Sequence, residues 1–134
     1  ILRKKLAEAG IDDWIVDSAG TLQLNRTGRP EDFGRILAEK GYEFGGVTKY
    51  VYEADAASAD LILVMEPQHQ YALRGIVPPE QWDKIQLFMM YCFASRSVLT
   101  DPSGFFSDDL YRDTRDTLER GCDVIVEKIQ KQLI

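Results

Sequence analysis

The chain alternates between two hydrophobic periods. From residue 1, Leu2, Leu6 and Ala9 recur at helical spacing and stop at Gly10, which predicts a short helix over residues 1–9 closed by a C-terminal glycine. Trp14, Ile15 and Val16 then form a compact β-prone run that exits into Asp17-Ser18-Ala19-Gly20-Thr21, so a strand is expected there, followed by a loop. Pro30-Glu31-Asp32 opens a second helix with Phe33, Ile36 and Leu37 inward and Gly41 beyond its end. The run Leu61-Ile62-Leu63-Val64-Met65 is apolar on both faces, the signature of a strand buried on both sides. Pro67 starts a short helix that reaches Arg74 and stops at Gly75, and residues 85–88, Ile-Gln-Leu-Phe, read as a further strand. Ser107 caps a last helix, with Asp108 and Asp109 at its positive end. Leu110, Thr114, Leu118, Cys122, Ile125, Ile129 and Leu133 lie on one stripe of it.

Buried strands alternating with helices predict an α/β fold, a parallel sheet covered by helices. At 134 residues and 45% hydrophobic the chain suits one domain, residues 1–134, with its own core. No internal repeat, linker or low-complexity segment interrupts it. One feature of the plan is odd: the pattern opens within a helix, whereas parallel units are built as strand, helix, strand. A strand is therefore expected ahead of residue 1.

A formal charge of −6 opposes binding to nucleic acid or an anionic membrane, and an anionic ligand would need a locally positive pocket. The longest apolar runs are too short to span a bilayer, and no leader precedes them, so a soluble, cytoplasmic protein is expected. Two cysteines thirty residues apart, Cys92 and Cys122, fit neither a disulfide framework nor a zinc pair and suit a reducing compartment. A single histidine, His69, excludes a histidine metal cluster; after the strand end at Glu66-Pro67 it reads as a solvated or capping residue.

Leu6-Ala7-Glu8-Ala9-Gly10 leading into Val16-Asp17-Ser18-Ala19-Gly20-Thr21, then Ala59-Asp60-Leu61-Ile62-Leu63-Val64-Met65-Glu66, then Asp101-Pro102 ahead of a long helix, come in one order. In that order and spacing the chain resembles the low-molecular-weight protein tyrosine phosphatases over nearly its whole length. The resemblance implies a flavodoxin-like three-layer sandwich, the phosphotyrosine phosphatase I fold, with a four-stranded parallel sheet. Its first strand would feed a C-x5-R-[ST] phosphate loop and then the helix entered at Ile1. That strand, loop and first helical turns would occupy roughly 20 residues ahead of residue 1. The 134 residues by themselves are accordingly expected to be inactive.

The implied activity is hydrolysis of phosphotyrosine or a small aryl phosphate through a cysteinyl-phosphate intermediate, with no cofactor and no metal. A thiolate ringed by backbone N–H groups is ionised at neutral pH, and an arginine holds the phosphoryl oxygens as charge moves. By resemblance Asp101 is the general acid that protonates the leaving oxygen and later the base that activates water. Taken alone, an Asp-Pro pair after a strand would be a turn former. Ser18, by resemblance, supports the phosphate loop; on its own it would be a local cap. Leu24, Asn25, Phe105 and Phe106 are expected to wall the substrate pocket around a phosphate-like anion.

Several residues depart from the family's pattern. Ser103-Gly104 stand where two tyrosines commonly follow Asp-Pro, with Phe105 and Phe106 one step later. Leu22-Gln23-Leu24-Asn25 replaces a loop that often carries tryptophan, and Gly46-Val47-Thr48-Lys49-Tyr50 replaces a more basic stretch. Cys92, with Arg96 after a gap of three residues rather than five, cannot form the phosphate loop, and Cys122 sits on the apolar stripe. Two other readings stay open: an arsenate reductase of the same fold, for which the two cysteines lack the needed pattern, and an inactive phosphatase-like binding module.

Overall fold

A computed structural model describes residues 1–22, 31–45, 48–103 and 105–134. In chain order its elements are α1 (Leu2–Glu8), α2 (Glu31–Ala38), α3 (Glu53–Ser58), β1 (Ile62–Val64), α4 (Pro67–Arg74), a 3-10 helix (Pro79–Lys84), β2 (Ile85–Leu87), α5 (Phe88–Phe93) and α6 (Asp108–Gln130). Every predicted helix is present. The residues group into two compact units, each described by itself.

The first unit comprises the described parts of residues 1–17, 28–46 and 101–134, in which α6 packs against both α1 and α2. Helices α1 and α2 both end as their sequences predict. Gly10 and Gly41 take left-handed φ values of 72° and 74°. In each case the glycine N–H and the next residue's N–H close back on the helix: Gly10 to Ala7 O at 3.0 Å and Ile11 to Leu6 O at 2.9 Å, Gly41 to Ala38 O at 3.0 Å and Tyr42 to Leu37 O at 3.2 Å. That is the pairing of a Schellman stop, which needs a residue free of the Cβ penalty. Gly34 serves a different need. A Cβ there would lie 2.5 Å from Phe44 Cδ1, so the missing side chain lets the Phe44 ring approach α2. Phe33 in turn stacks on Tyr111 of α6, with ring centroids 5.6 Å apart.

The buried stripe of α6 is shifted from the expected one. Tyr111, Arg115, Gly121, Cys122 and Ile125 are buried, whereas Leu110 is 41% exposed and Leu133, beyond the helix, 66% exposed. Sequence reading passed over Arg115 because a charged residue seldom sits on an inner face. It is accommodated by three bonds: Nη1 donates to Ile36 O at 2.9 Å and to Glu39 at 2.8 Å, and Nε donates to Asp116 at 2.9 Å. Around it Arg112 grips Glu39 through both a 2.9 and a 3.1 Å bond. Lys40 reaches Glu119 at 3.0 Å and Asp116 at 3.2 Å, and the Tyr42 hydroxyl donates to Glu119.

These bonds hold three carboxylates below their ordinary range: Glu39 chiefly through Arg112, Asp116 through Arg115, and Glu119 through the Tyr42 hydroxyl and Lys40. A depressed carboxylate stabilises the fold above its unfolded pKa, and that contribution is lost as pH falls through the folded value. The thermal midpoint of the full-length protein is therefore expected to hold from neutrality to about pH 5 and to drop steeply below about pH 4, where unfolded carboxylates take up protons. A melting series in buffers of equal ionic strength checks this, and a midpoint that stays flat to pH 3 would show that the network contributes nothing.

The second unit comprises the described parts of residues 18–27 and 47–100 and contains the sheet. Strands β1 and β2 pair in parallel with register Ile62 to Ile85, Leu63 to Gln86 and Val64 to Leu87. Ala56, Val64, Leu73, Val77 and Ile85 make a buried cluster, with Val51, Ile62, Ile76 and Leu87 packed against it. Gly20 adds one isolated parallel bridge to Tyr50, donating to Lys49 O at 2.8 Å while its own carbonyl accepts from Val51 N at 2.9 Å. The expected four-stranded sheet is therefore corrected to two strands among the described residues.

Residues 14–16, expected as a strand, carry no ladder. Ile15 is 96% exposed and the Val16 carbonyl accepts from the Arg3 guanidinium at 2.8 Å instead. A three-residue β-prone run becomes a strand only when a neighbour takes its backbone groups. The predicted strand over residues 85–88 is shorter than expected, because Phe88 begins α5. Helix α3 was not foreseen either. Among the described residues no helix is long and apolar enough to cross a membrane.

Candidate active site

The Asp-Pro segment lies between two well-fixed points of the chain. Upstream, Leu99 N donates to Met65 O at 3.3 Å, tying the approach to the end of β1 within the second unit. Downstream, in the first unit, Ser107 caps α6 by accepting from Leu110 N at 3.3 Å. The next residue, Asp108, is held by the fork of Arg35 on α2, with bonds of 2.8 and 3.1 Å. That two-point grip keeps the Asp108 carboxyl below its ordinary range and places negative charge at the positive end of α6. It also fixes where the segment from Asp101 to Phe106 must end. Nothing local in the sequence announces the Arg35–Asp108 pair, whose members are 73 residues apart.

Within the segment Asp101 is exposed and folds over a turn. Its Oδ1 accepts from the Ser103 backbone N–H at 2.9 Å and from the Ser103 hydroxyl at 2.7 Å, and Phe105 N closes back to Pro102 O at 3.3 Å. Turn former and proton donor are thus compatible roles, since the turn engages one carboxylate oxygen. Ser103 is the residue that sequence reading missed. An Asp followed two positions later by Ser is the signal for such a turn, but it was weighed only as a departure from the family's tyrosine.

Phe105 and Phe106 are 61% and 95% exposed. Phe106 has a φ of 52°, a left-handed conformation that a bulky side chain adopts only under local constraint. Ser18 is exposed and belongs to the second unit, two residues ahead of the Gly20 bridge. Leu24 and Asn25 lie outside the described residues.

The remaining chemistry-bearing residues are structural. His69 accepts from the Glu66 backbone N–H at 3.2 Å through Nδ1, a cap for α4. Cys92 is buried in α5; Cys122 is buried in α6, where burial pushes its thiol up to about 11, so it offers no thiolate at neutral pH. Among the described residues no cluster of three or more histidine, cysteine or acidic side chains could hold a metal ion.

The chain thus combines a parallel β pair with an exposed, turn-held Asp-Pro carboxylate ahead of a long helix. A family model for the low molecular weight phosphotyrosine protein phosphatases matches residues 1–133, and the chain belongs to that family. No curated protein matches it. Among solved structures, a low molecular weight phosphotyrosine phosphatase from Vibrio cholerae O395 is similar, with a TM-score of 0.86 at 27% identity over 99% of this chain and 86% of its own. The YwlE arginine phosphatase, in a mutant with a phosphorylated active site serine, gives 0.86 at 28% identity over 97% of this chain and 84% of its own. A protein tyrosine phosphatase from Entamoeba histolytica with Hepes in the active site shares the fold, with a TM-score of 0.88 at 20% identity over 99% and 86%.

Proposed function

We propose that the protein hydrolyses phosphotyrosine or other aryl phosphate monoesters through a cysteinyl-phosphate intermediate, with Asp101 as general acid and then general base. The observation that carries this reading is the Asp101 carboxylate itself: exposed, fixed through Oδ1 by Ser103, and with Oδ2 left for a proton. Family membership supplies the context.

In the first step the thiolate of a C-x5-R loop attacks phosphorus. The P–O ester bond breaks, and the leaving phenolate takes the proton from Asp101 Oδ2. In the second step Asp101, now a carboxylate, takes a proton from water while the water oxygen attacks phosphorus. The P–S bond breaks, and phosphate and thiolate are released. The burial of Cys92 and Cys122 argues against either as nucleophile. Phe105 and Phe106 are suited to flank an aromatic leaving group, and Ser18 to steady the phosphate loop.

The likeness to an arginine phosphatase favours a second reading, in which the bond cleaved is P–N and the same acid protonates a guanidine. Chemical quenching of the full-length protein during turnover of phenyl phosphate tests the shared mechanism: the phosphoryl group is expected on a cysteine sulfur.

A further inference from the structure

We infer that Ser103 is a positioning residue for the reaction: its hydroxyl fixes the Asp101 carboxyl so that the transferable proton resides on Oδ2. The inference rests on the reading of Asp101 as proton donor and adds to it a residue and an atom.

A carboxyl group can carry its proton on either oxygen and can rotate about its terminal bond, which has a broad torsional well. Among the described residues both hydrogen bonds to the Asp101 carboxylate end on Oδ1, at 2.7 Å from the Ser103 hydroxyl and 2.9 Å from its backbone N–H. With the Ser103 N–H and hydroxyl both directed at Oδ1, that oxygen is the stabilised acceptor, and the neutral acid favours its proton on Oδ2. Pro102 narrows the turn further by fixing its own φ. The backbone donor would exist with any residue at position 103. The hydroxyl donor exists only with serine or threonine, and it is the shorter of the two bonds. The same pair of donors serves the second step, because it leaves Oδ2 to accept the proton from water.

This assigns a specific consequence to the residue that stands where the family commonly has a tyrosine. A tyrosine hydroxyl, held on the far side of the ring from its Cβ, cannot close on the preceding aspartate in this way. The chain therefore holds its acid by a local side-chain bond.

The test compares phenyl phosphate, whose leaving group needs a proton, with 2,4-dinitrophenyl phosphate, whose leaving group does not. The readout is the ratio of kcat/KM for the two in the full-length protein. In Ser103→Ala that ratio is expected to fall about 3- to 10-fold, the scale of one lost orienting hydrogen bond within a larger acid contribution. In Ser103→Thr it should return to the wild-type value, and in an Asp101→Asn background Ser103→Ala should lower it no further. An unchanged ratio in Ser103→Ala, alongside a large fall in Asp101→Asn, overturns the role of Ser103 and leaves that of Asp101 intact. An unchanged ratio in Asp101→Asn overturns both. A fall in Ser103→Ala that threonine does not restore also overturns the hydroxyl's role.

Discussion

Asp101→Asn is expected to lower kcat of the full-length protein on phenyl phosphate by about 10²-fold or more, the usual scale of a general acid-base contribution. The argument is one of subtraction. Asparagine has the same shape and keeps an oxygen that can accept from the Ser103 N–H and hydroxyl, so the turn over residues 101–103 survives. The residue is exposed and carries no packing, so folding is expected to be unaffected. What is lost is the proton for the departing phenolate and the base for the incoming water. KM should change little, because the acid meets the ester oxygen only as charge develops on it. Steady-state kinetics with both parameters resolved checks this. A fall of less than about threefold in kcat would remove Asp101 from the chemistry.

The second large effect concerns the frame. Ile85 is 1% exposed, opens β2, pairs with Ile62 across the parallel ladder and belongs to the cluster with Ala56, Val64, Leu73 and Val77. Its carbonyl is also taken, by the Gln70 side chain of α4 at 3.0 Å, so the site is held from backbone and side chain alike. Ile85→Ala is expected to cost about 3 kcal/mol, combining lost transfer energy with a cavity that a ladder position cannot close. Ile85→Val should cost only about 1 kcal/mol. Against a total of about 5–15 kcal/mol for a natural domain, the alanine change is a large fraction. Urea unfolding reads it as a lower midpoint with an unchanged slope. A loss under about 1 kcal/mol from the alanine variant would mean that this cluster is not the core of its unit.

Helix ends were the most legible part of the chain, because their signals are local. Gly10, Gly41 and Ser107 each act within a few residues of themselves, through left-handed backbone or a side-chain cap, and each was read correctly. Strands were less so. Residues 14–16 have the composition of a strand, but pairing depends on a neighbour that composition does not specify, and Ile15 stands in the open. The stripe of α6 was misjudged because Arg115 is buried on pairing partners, Ile36 O and Glu39, that lie on the far side of more than seventy residues. At the site, the order of motifs is what points to Asp101. Its turn with Ser103 was readable from Asp-x-Ser alone but was given the wrong weight. The Arg35 grip on Asp108 had no sequence signal at all.

The measurement that goes most directly to the central claim is the quenched turnover of phenyl phosphate, with the site of phosphorylation located by fragmentation of the full-length protein. The account expects the phosphoryl group on the sulfur of a cysteine six positions ahead of an arginine, and a slower approach to that state in Asp101→Asn. Phosphate released with no phosphorylated cysteine at any time, or a phosphoryl group carried by any other kind of side chain, would contradict it.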